Sequence, residues 1–293
     1  MRQISVQHLI VEVGEDEYAT TPWVEKLVSH AAFPSMYGEF YKNLNITMFR
    51  SLPYFLGENG FQNPTDFTKS NWQYMTATNN SFFDDVGTNV ALRNSFNDAM
   101  ECHSMYNLTP WPEVFPTNKL VEGAKPDRAL VVDMGGGKGH DLTKFSAAHP
   151  DVPKGSLILQ DLPDILKDVK PIDTILVQPH DFFQPQPIKG ARAYFMHNVL
   201  HDWTDPEAVR ILKNIVEAME PGYSRVVVHE SLISTLKPSP RVTVSDITVM
   251  ACLSAKERTE KEWATLFEEA GLKIVKIWRA AQAVESIIEA EVA

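Results

Sequence analysis

One stretch constrains this chain more than any other: a strand that ends in an acid and runs straight into glycines. Val131-Val132-Asp133-Met134 is apolar apart from the acid, Gly135-Gly136-Gly137-Lys138-Gly139 follows, and a helical pattern begins at His140. Glycine lacks a Cβ, so such a run lets the backbone turn sharply and approach a ligand closely. A strand, a tight turn and a helix in this order form one unit of an open α/β sheet. Ligands of such sheets bind beyond the carboxyl ends of the strands.

The residues that follow repeat the plan. Short β-branched runs at 129–134, 156–161, 173–178, 191–199 and 225–232 alternate with helical stretches at 140–149, 164–167 and 204–219. A helix over 259–270 precedes two more strands, 272–280 and 286–292. This alternation predicts a parallel sheet with helices on both faces. Only about five residues separate the last two strands, too few for a right-handed crossover, so they should pair antiparallel. That departs from the all-parallel dinucleotide fold.

Before residue 125 the chain reads helical and aromatic-rich. Residues 8–21 look like a hairpin with Gly14 in its turn, and a helix should start near Pro22. Residues 78–107 read as helix interrupted at Thr88-Asn89, and Trp111, Pro112, Phe115 and Pro116 break the pattern. Two parts are expected: 1–124, and 125–293 built around the sheet.

Composition excludes several classes. Lys and Arg number 27 against 38 Asp and Glu, a net charge of -11, and such a surface repels phosphate backbones, so no nucleic-acid partner is expected. No run approaches the ~20 apolar residues of a membrane helix. The N-terminus has only Leu9-Ile10-Val11 before acids and does not read as a signal peptide. Cys102 and Cys252 are the only cysteines, which argues against a disulfide framework and for a reducing, cytoplasmic setting.

The strand ends carry the chemistry. A pyrophosphate would be repelled by Asp133, whereas a cationic amino-acid tail would be attracted. Asp161 ends the next strand, 26 residues after Gly135, where a carboxylate suits two ribose hydroxyls. His180-Asp181-Phe182-Phe183 offers an acid and an aromatic face to an adenine. Adenosine with a positive tail is S-adenosylmethionine. The competing readings are a nucleotide dehydrogenase, and a purely structural turn with Asp133 as helix cap.

His201 follows the fourth strand in Asn198-Val199-Leu200-His201-Asp202-Trp203, on the donor's side of the sheet. A neutral imidazole can take a proton near pH 7, and a phenol with a pKa near ~10 attacks poorly until deprotonated. Either Glu230 or Glu257 could orient the base. No His, Asp or Glu group has metal-ligand spacing, so no metal is expected. His197 and His201 are four apart on a strand leading into a loop, not on a helix.

Five ordered motifs then align: the glycine run 132–140, Asp161-Leu162-Pro163, Asp181-Phe182-Phe183, His201-Asp202-Trp203 and Lys256-Glu257-Arg258-Thr259. Together they resemble the caffeate-type S-adenosylmethionine-dependent O-methyltransferases. Gly190-Ala191-Arg192-Ala193-Tyr194 and the His201 stretch look most like fungal members acting on polyketide-type aromatics. The resemblance is strong over 125–293 and weaker over 1–124. It implies a Rossmann-like class I methyltransferase sheet, mostly parallel with an antiparallel last strand. A helical acceptor-binding and dimerisation region with a remnant winged-helix hairpin would precede it. It implies that Asp133, Gly135, Gly137, Gly139, Asp161, Leu162, Asp181 and Phe182 hold the donor, with S-adenosylhomocysteine as product. His201 would be the base beside Glu230 and Glu257, and Trp72, Met75, Asn79 and Asp202 would line the acceptor pocket.

Three departures from the family pattern stand out. His197 occupies the place of a Lys or Arg that contacts the donor; either it fills that role or donor affinity is lower. Ser254-Ala255 replaces a glycine pair. The chain starts near the wing hairpin and so looks shortened at its N-terminus. In the family that region supplies much of the dimer contact, which leaves a homodimer open. Alternative functions are a pericyclase that uses the sulfonium as an electrostatic aid, and a non-catalytic binder or regulator.

Overall fold

The computed structural model describes residues 1–106, 109–167, 169, 173–279 and 285–293. The chain forms two compact units, Met1–Arg50 with Asp84–Asn107, and Ser51–Phe83 with Leu108–Ala293. The sheet begins near the expected boundary at residue 125, while 51–83 and 108–124 belong to the same compact unit as the sheet.

In the first unit, β1 (Ile10–Gly14) and β2 (Glu17–Thr20) form the expected hairpin. Gly14 closes β1 instead of turning; the turn is Glu15-Asp16, with Asp16 at φ +57°. A helix starts at Pro22, capped by the Thr21 side chain. The helical pattern over 78–107 resolves into Phe82–Thr88 and Val90–Tyr106. Its break is sharp because the Asn89 side chain accepts the N–H groups of Ala91 and Leu92 at 3.1 and 3.2 Å, capping the second helix. Residues 78–81 are not helical, and Asn107 lies outside the described residues. Ala32, Phe33, Met36, Ala99 and Cys102 make the local core.

The second unit is a seven-stranded sheet. Its strands are β3 (Val131–Met134), β4 (Leu157–Asp161), β5 (Ile175–Pro179), β6 (Ala193–His197), β7 (Arg225–Ser231), β8 (Leu272–Arg279) and β9 (Glu285–Val292). Their order is β5-β4-β3-β6-β7-β9-β8. The first five run parallel, and β9 is antiparallel to both β7 and β8. The antiparallel pair is as expected. Its insertion, with β9 rather than β8 against β7, is set by tertiary packing. Ala280, placed in a strand by the sequence pattern, lies outside the described residues.

Strand alternation divides the core into two faces. Val132, Met134, Tyr194, Met196, Val226 and Val228 pack beneath Ile211, Leu212, Ile215, Trp263 and Phe267. Val131, Ala193, Phe195, Val227 and Ile287 pack beneath Trp111, Leu142 and Phe145. The order reverses between β3 and β6, so the crevice beyond their carboxyl ends is the sheet's natural binding place.

Two differences from the sequence pattern are instructive. Trp111 and Pro112, read as a break, open a short helix, Trp111–Val114, because proline fits a first turn. The helix Pro240–Leu253 was not foreseen: Val242, Thr243, Val244, Ile247, Thr248 and Val249 are β-branched and disfavour helix. Packing overrides that preference. Among the described residues no helix is long and apolar enough to cross a membrane, and both cysteines are buried, free thiols.

Candidate active site

The glycine turn leaves β3 and closes onto β4. A Cβ on Gly136 would lie 2.5 Å from Asp133 Oδ2 and from Leu159 Cδ1, so the acid beneath the turn admits no side chain there. Gly137, at φ +55°, faces open space. Its N–H donates to Asp161 Oδ2 at 2.8 Å, and the Leu162 N–H donates to Oδ1 at 2.7 Å. The His180 N–H donates to the Asp161 carbonyl at 3.0 Å. One carboxylate residue therefore ties three strand ends together.

Asp181 accepts the Phe183 N–H at 2.9 Å, and the Phe182 ring stands against Gly135. Leu162, an apolar side chain, is 46% exposed beside Asp161. Gly139, at φ +78°, is the N-cap of the helix His140–Ala148. Asp133 is buried; burial raises its pKa well above the carboxylate range, and the neighbouring Asp141 adds to the rise. The expected donor residues thus cluster around β3, β4 and β5, with Asp133 under the turn.

His201 sits on the 3-10 turn Leu200–Asp202 beyond β6. Its Nδ1 lies 3.0 Å from Glu257 Oε1 and 3.8 Å from Glu230 Oε2, and its Nε2 lies 3.5 Å from Asp202 Oδ1. Glu230, next to last in β7, is fully buried, and its Oε1 accepts the N–H groups of Val199 and Leu200 at 3.0 and 2.9 Å. Glu257 Oε1 also accepts from the Ser245 hydroxyl at 2.5 Å, and the Glu257 N–H donates to Asp246 at 2.9 Å. The helix Pro240–Leu253 thereby orients the carboxylate that contacts His201.

Burial opposes charge on His201, but Glu230, Asp202 and Glu257 outweigh it and hold the imidazole well above its ordinary pKa. Burial lifts Glu230 to about 7 and Asp202 to about 6, each against the pull of His201.

Arg258, although inside a quoted motif, carried no expected role. It is fully buried and donates to Asp205 at 2.8 Å, the Leu200 carbonyl at 2.8 Å and the Trp203 carbonyl at 2.7 Å. It fixes both ends of the His201 turn. Ser254 ends the helix Pro240–Leu253 at φ +57°, the left-handed conformation that a glycine would adopt without strain. The loop therefore bends as a glycine would bend it.

His197 is set differently. Its Nδ1 meets Asp141 Oδ2 at 2.7 Å and its Nε2 meets Glu285 Oε2 at 3.1 Å. The ring stacks on His229 with centroids 4.0 Å apart. Burial disfavours its charge, yet Asp141 and Glu285 push its pKa up to about 10. Burial and the His197 charge push His229 down to about 3. Asp141, Glu285 and His229 were not singled out in the sequence. They come from separate elements, and no local spacing connects them.

Each histidine cluster brings three potential ligand atoms within 4.8 Å of one another: His197, His229 and Glu285 in one, His201, Glu230 and Glu257 in the other. The spacing argument against a metal does not reach groups assembled this way.

On the acceptor side, Trp72 and Met75 lie on the helix Asn71–Thr76, which begins with a capping box between Ser70 and Gln73. Trp72 is buried edge-on against Phe82, Met75 is half-buried, and Asn79 is exposed in the bend beyond. This helix packs on Pro240–Leu253, which also touches the His201 turn. Phe83 stacks on Trp203 at 5.7 Å, with Phe67 and Phe183 edge-on to it, so aromatic rings border that turn.

Residues 61–273 match the model of the O-methyltransferase domain family. The chain belongs to that family. It is 37% identical to O-methyltransferase mfmE of Annulohypoxylon moriforme, over 99% of this chain and 72% of that protein. It is 42% identical to O-methyltransferase ATR12 of Stachybotrys chlorohalonatus, over 83% of this chain and 61% of the relative. Among solved structures, LepI in complex with SAM superposes with a TM-score of 0.87 at 27% identity, over 100% of this chain and 75% of that one. OxaC in complex with SAH and oxaline gives 0.85 at 27% identity, over 100% and 74%. The resemblance in the motifs is thus borne out, and the sheet is that of a class I methyltransferase.

Proposed function

We propose that this O-methyltransferase moves a methyl group from S-adenosylmethionine to a phenolic hydroxyl of a small, polyketide-like aromatic acceptor, with His201 as general base. The carrying observation is the His201 imidazole on the turn beyond β6, held at Nδ1 by Glu257 and backed by Glu230. Bound donor supplies an electrophilic methyl on a sulfonium and leaves as S-adenosylhomocysteine. The residues present fit it. Open space stands at Gly137, Asp161 keeps lone pairs beyond its two backbone bonds, and exposed Leu162 and the Phe182 ring offer apolar faces for a base.

With Nδ1 donating to Glu257, Nε2 is the atom that takes the phenol proton. The imidazolium so formed is stabilised by Glu257 and Glu230, and the half-buried Asp202 stands beside Nε2. Asp133, Gly135, Gly137, Gly139, Asp161, Leu162, Asp181 and Phe182 make the donor site, and His197 serves it in the manner argued below. Trp72, Met75, Asn79 and Asp202 line the acceptor pocket. Residues 1–124 are read as the acceptor-binding and pairing region, 125–293 as the donor-binding domain, and the enzyme as a cytoplasmic homodimer. Sedimentation velocity tests the pairing.

A second reading has one specific support, the superposition on a solved structure described as a pericyclic reaction enzyme, TM-score 0.87 at 27% identity. A held base beyond the same strand ends as the glycine turn favours transfer. Methyl-labelled donor with a panel of phenols decides. Label appearing in an aryl ether together with the spent thioether is expected, whereas a rearranged product with intact donor selects the second reading.

A further inference from the structure

The His197 cluster touches both halves of the candidate site. Asp141 is the second residue of the helix that springs from the glycine turn, directly after His140 and its cap Gly139. The helix is anchored there, because its Asp141 carbonyl accepts the Trp111 indole N–H at 3.1 Å. Lys144, a turn further on, lies 3.8 Å from the same carboxylate.

The other carboxylate, Glu285, opens β9 and divides its two oxygens. Oε2 takes His197, and Oε1 accepts the Asn198 side-chain N–H at 3.0 Å. Asn198 stands at φ +52°, a left-handed conformation that asparagine tolerates better than most residues. Its backbone N–H donates to the His229 carbonyl at 3.1 Å. This kink diverts the chain from β6 into the turn that carries His201, where Glu230 collects the next two N–H groups. The bridge thus runs from the donor turn, through Asp141, His197 and Glu285, to Asn198 and the base.

We propose that Asp141, His197 and Glu285 form a buried bridge that sets the donor-binding turn and the base-bearing turn in register, so that His197 is a positioning residue acting through its two carboxylate partners. The charges fit this role. Two carboxylates share one imidazole with a neutral His229 stacked behind it, and the side chains of His197, Asp141 and Glu285 are only 7%, 13% and 7% exposed. A contact with the donor alone would leave a ring nitrogen uncommitted. Here both are in use. The inference rests on the methyl-transfer reading above.

The test uses the full chain with the isosteric changes D141N and E285Q, each of which removes a charge and keeps the volume. S-adenosylhomocysteine binding is measured by calorimetry, and methyl transfer by steady-state kinetics. A 1 Å misplacement of a positioned group can cost about 100-fold, and a smaller one less. D141N should therefore raise the thioether Kd and the donor KM by about tenfold. E285Q should lower kcat by a similar factor, and the acceptor KM should stay within about twofold in both. Folded variants whose donor affinity and kcat match the wild type overturn the proposal, even if their Tm falls, because then the bridge is only structural. Should both variants fail to fold, 15N-histidine spectra of the wild type decide: the doubly protonated His197 ring must shift when S-adenosylhomocysteine is added, and no shift overturns the proposal. Wild-type protein that neither binds the thioether nor transfers methyl sinks the methyl-transfer reading itself. That outcome shows in the unmutated chain and is distinct from a variant effect.

Discussion

His201 and His197 stand four residues apart, and each is flanked by carboxylates from distant elements. They differ in what is left over. His197 has both nitrogens in short contacts, 2.7 and 3.1 Å, and a stacked ring behind it. His201 has one nitrogen in a close contact, at 3.0 Å, while its second lies 3.5 Å from Asp202. An imidazole held at both ends is a fixed cation. One held at a single end is oriented and still has an atom for chemistry. On the two proposals above, a strut and a base stand four residues apart at the carboxyl end of the central strand β6, and number of partners separates them better than residue type does.

The comparison can be broken first at the base. H201A should lower kcat by about 10²- to 10⁴-fold, the range of one general base, while S-adenosylhomocysteine affinity stays within twofold. A near-normal rate would erase the distinction between the two histidines. The strut should show itself in stability. Removing one partner of a buried pair costs about 3–5 kcal/mol, so H197Q should be strongly destabilised. Sign and window follow from a folded pKa of about 10 against an ordinary value of 6.5. The His197 contribution is complete below pH 6.5 and fades as pH rises toward 10. Melting temperatures of wild type and H197Q should thus lie far apart at pH 6 and converge near pH 10; a constant gap would mean the charge is not what matters.

At the donor site, D161A removes the acceptor of two backbone N–H groups. Hydrogen bonds to a charged group are worth about 1.5–3 kcal/mol each, so the thioether Kd should rise at least about tenfold with little change in kcat at saturating donor. Calorimetry beside kinetics checks the split. The pH profile sharpens the picture further. Because its carboxylates raise the His201 pKa, the ascending limb of kcat/KM should lie above the ordinary histidine value of 6.5, and E257Q should move it to lower pH while slowing the reaction. The smallest effect belongs to S254G. A left-handed non-glycine residue costs about 1–2 kcal/mol, partly offset by glycine's larger chain entropy, so a stabilisation of about 1 kcal/mol or less is expected in denaturant melts.

Much of this is legible in the amino-acid sequence. The glycine run, the acids at the ends of β3 and β4, and the alternation of strand and helix gave the sheet, because strand ends of an open α/β sheet are local features that converge on one crevice. His201 and Glu230 are legible for the same reason, since Glu230 stands near the end of the strand beside β6, while Glu257 is named only from the 255–259 stretch. The choice between Glu230 and Glu257 is not legible. Glu257 makes the closer contact, and it does so through Ser245 and Asp246 on a helix whose β-branched sequence hid it. The role of Arg258 is not legible in the sequence, because its three acceptors are Asp205 and two backbone carbonyls, all more than 50 residues away.

By itself the sequence determined the periodicities, the turn chemistry and the residue types at each strand end, all of which depend on neighbours along the chain. Only the tertiary structure decided that β9 slots between β7 and β8, bringing Glu285 to His197, and that Asp141 closes the other side. A histidine's charge is set by what surrounds it in space, and for His197 those groups, at 2.7 and 3.1 Å, are 56 and 88 residues distant in the chain.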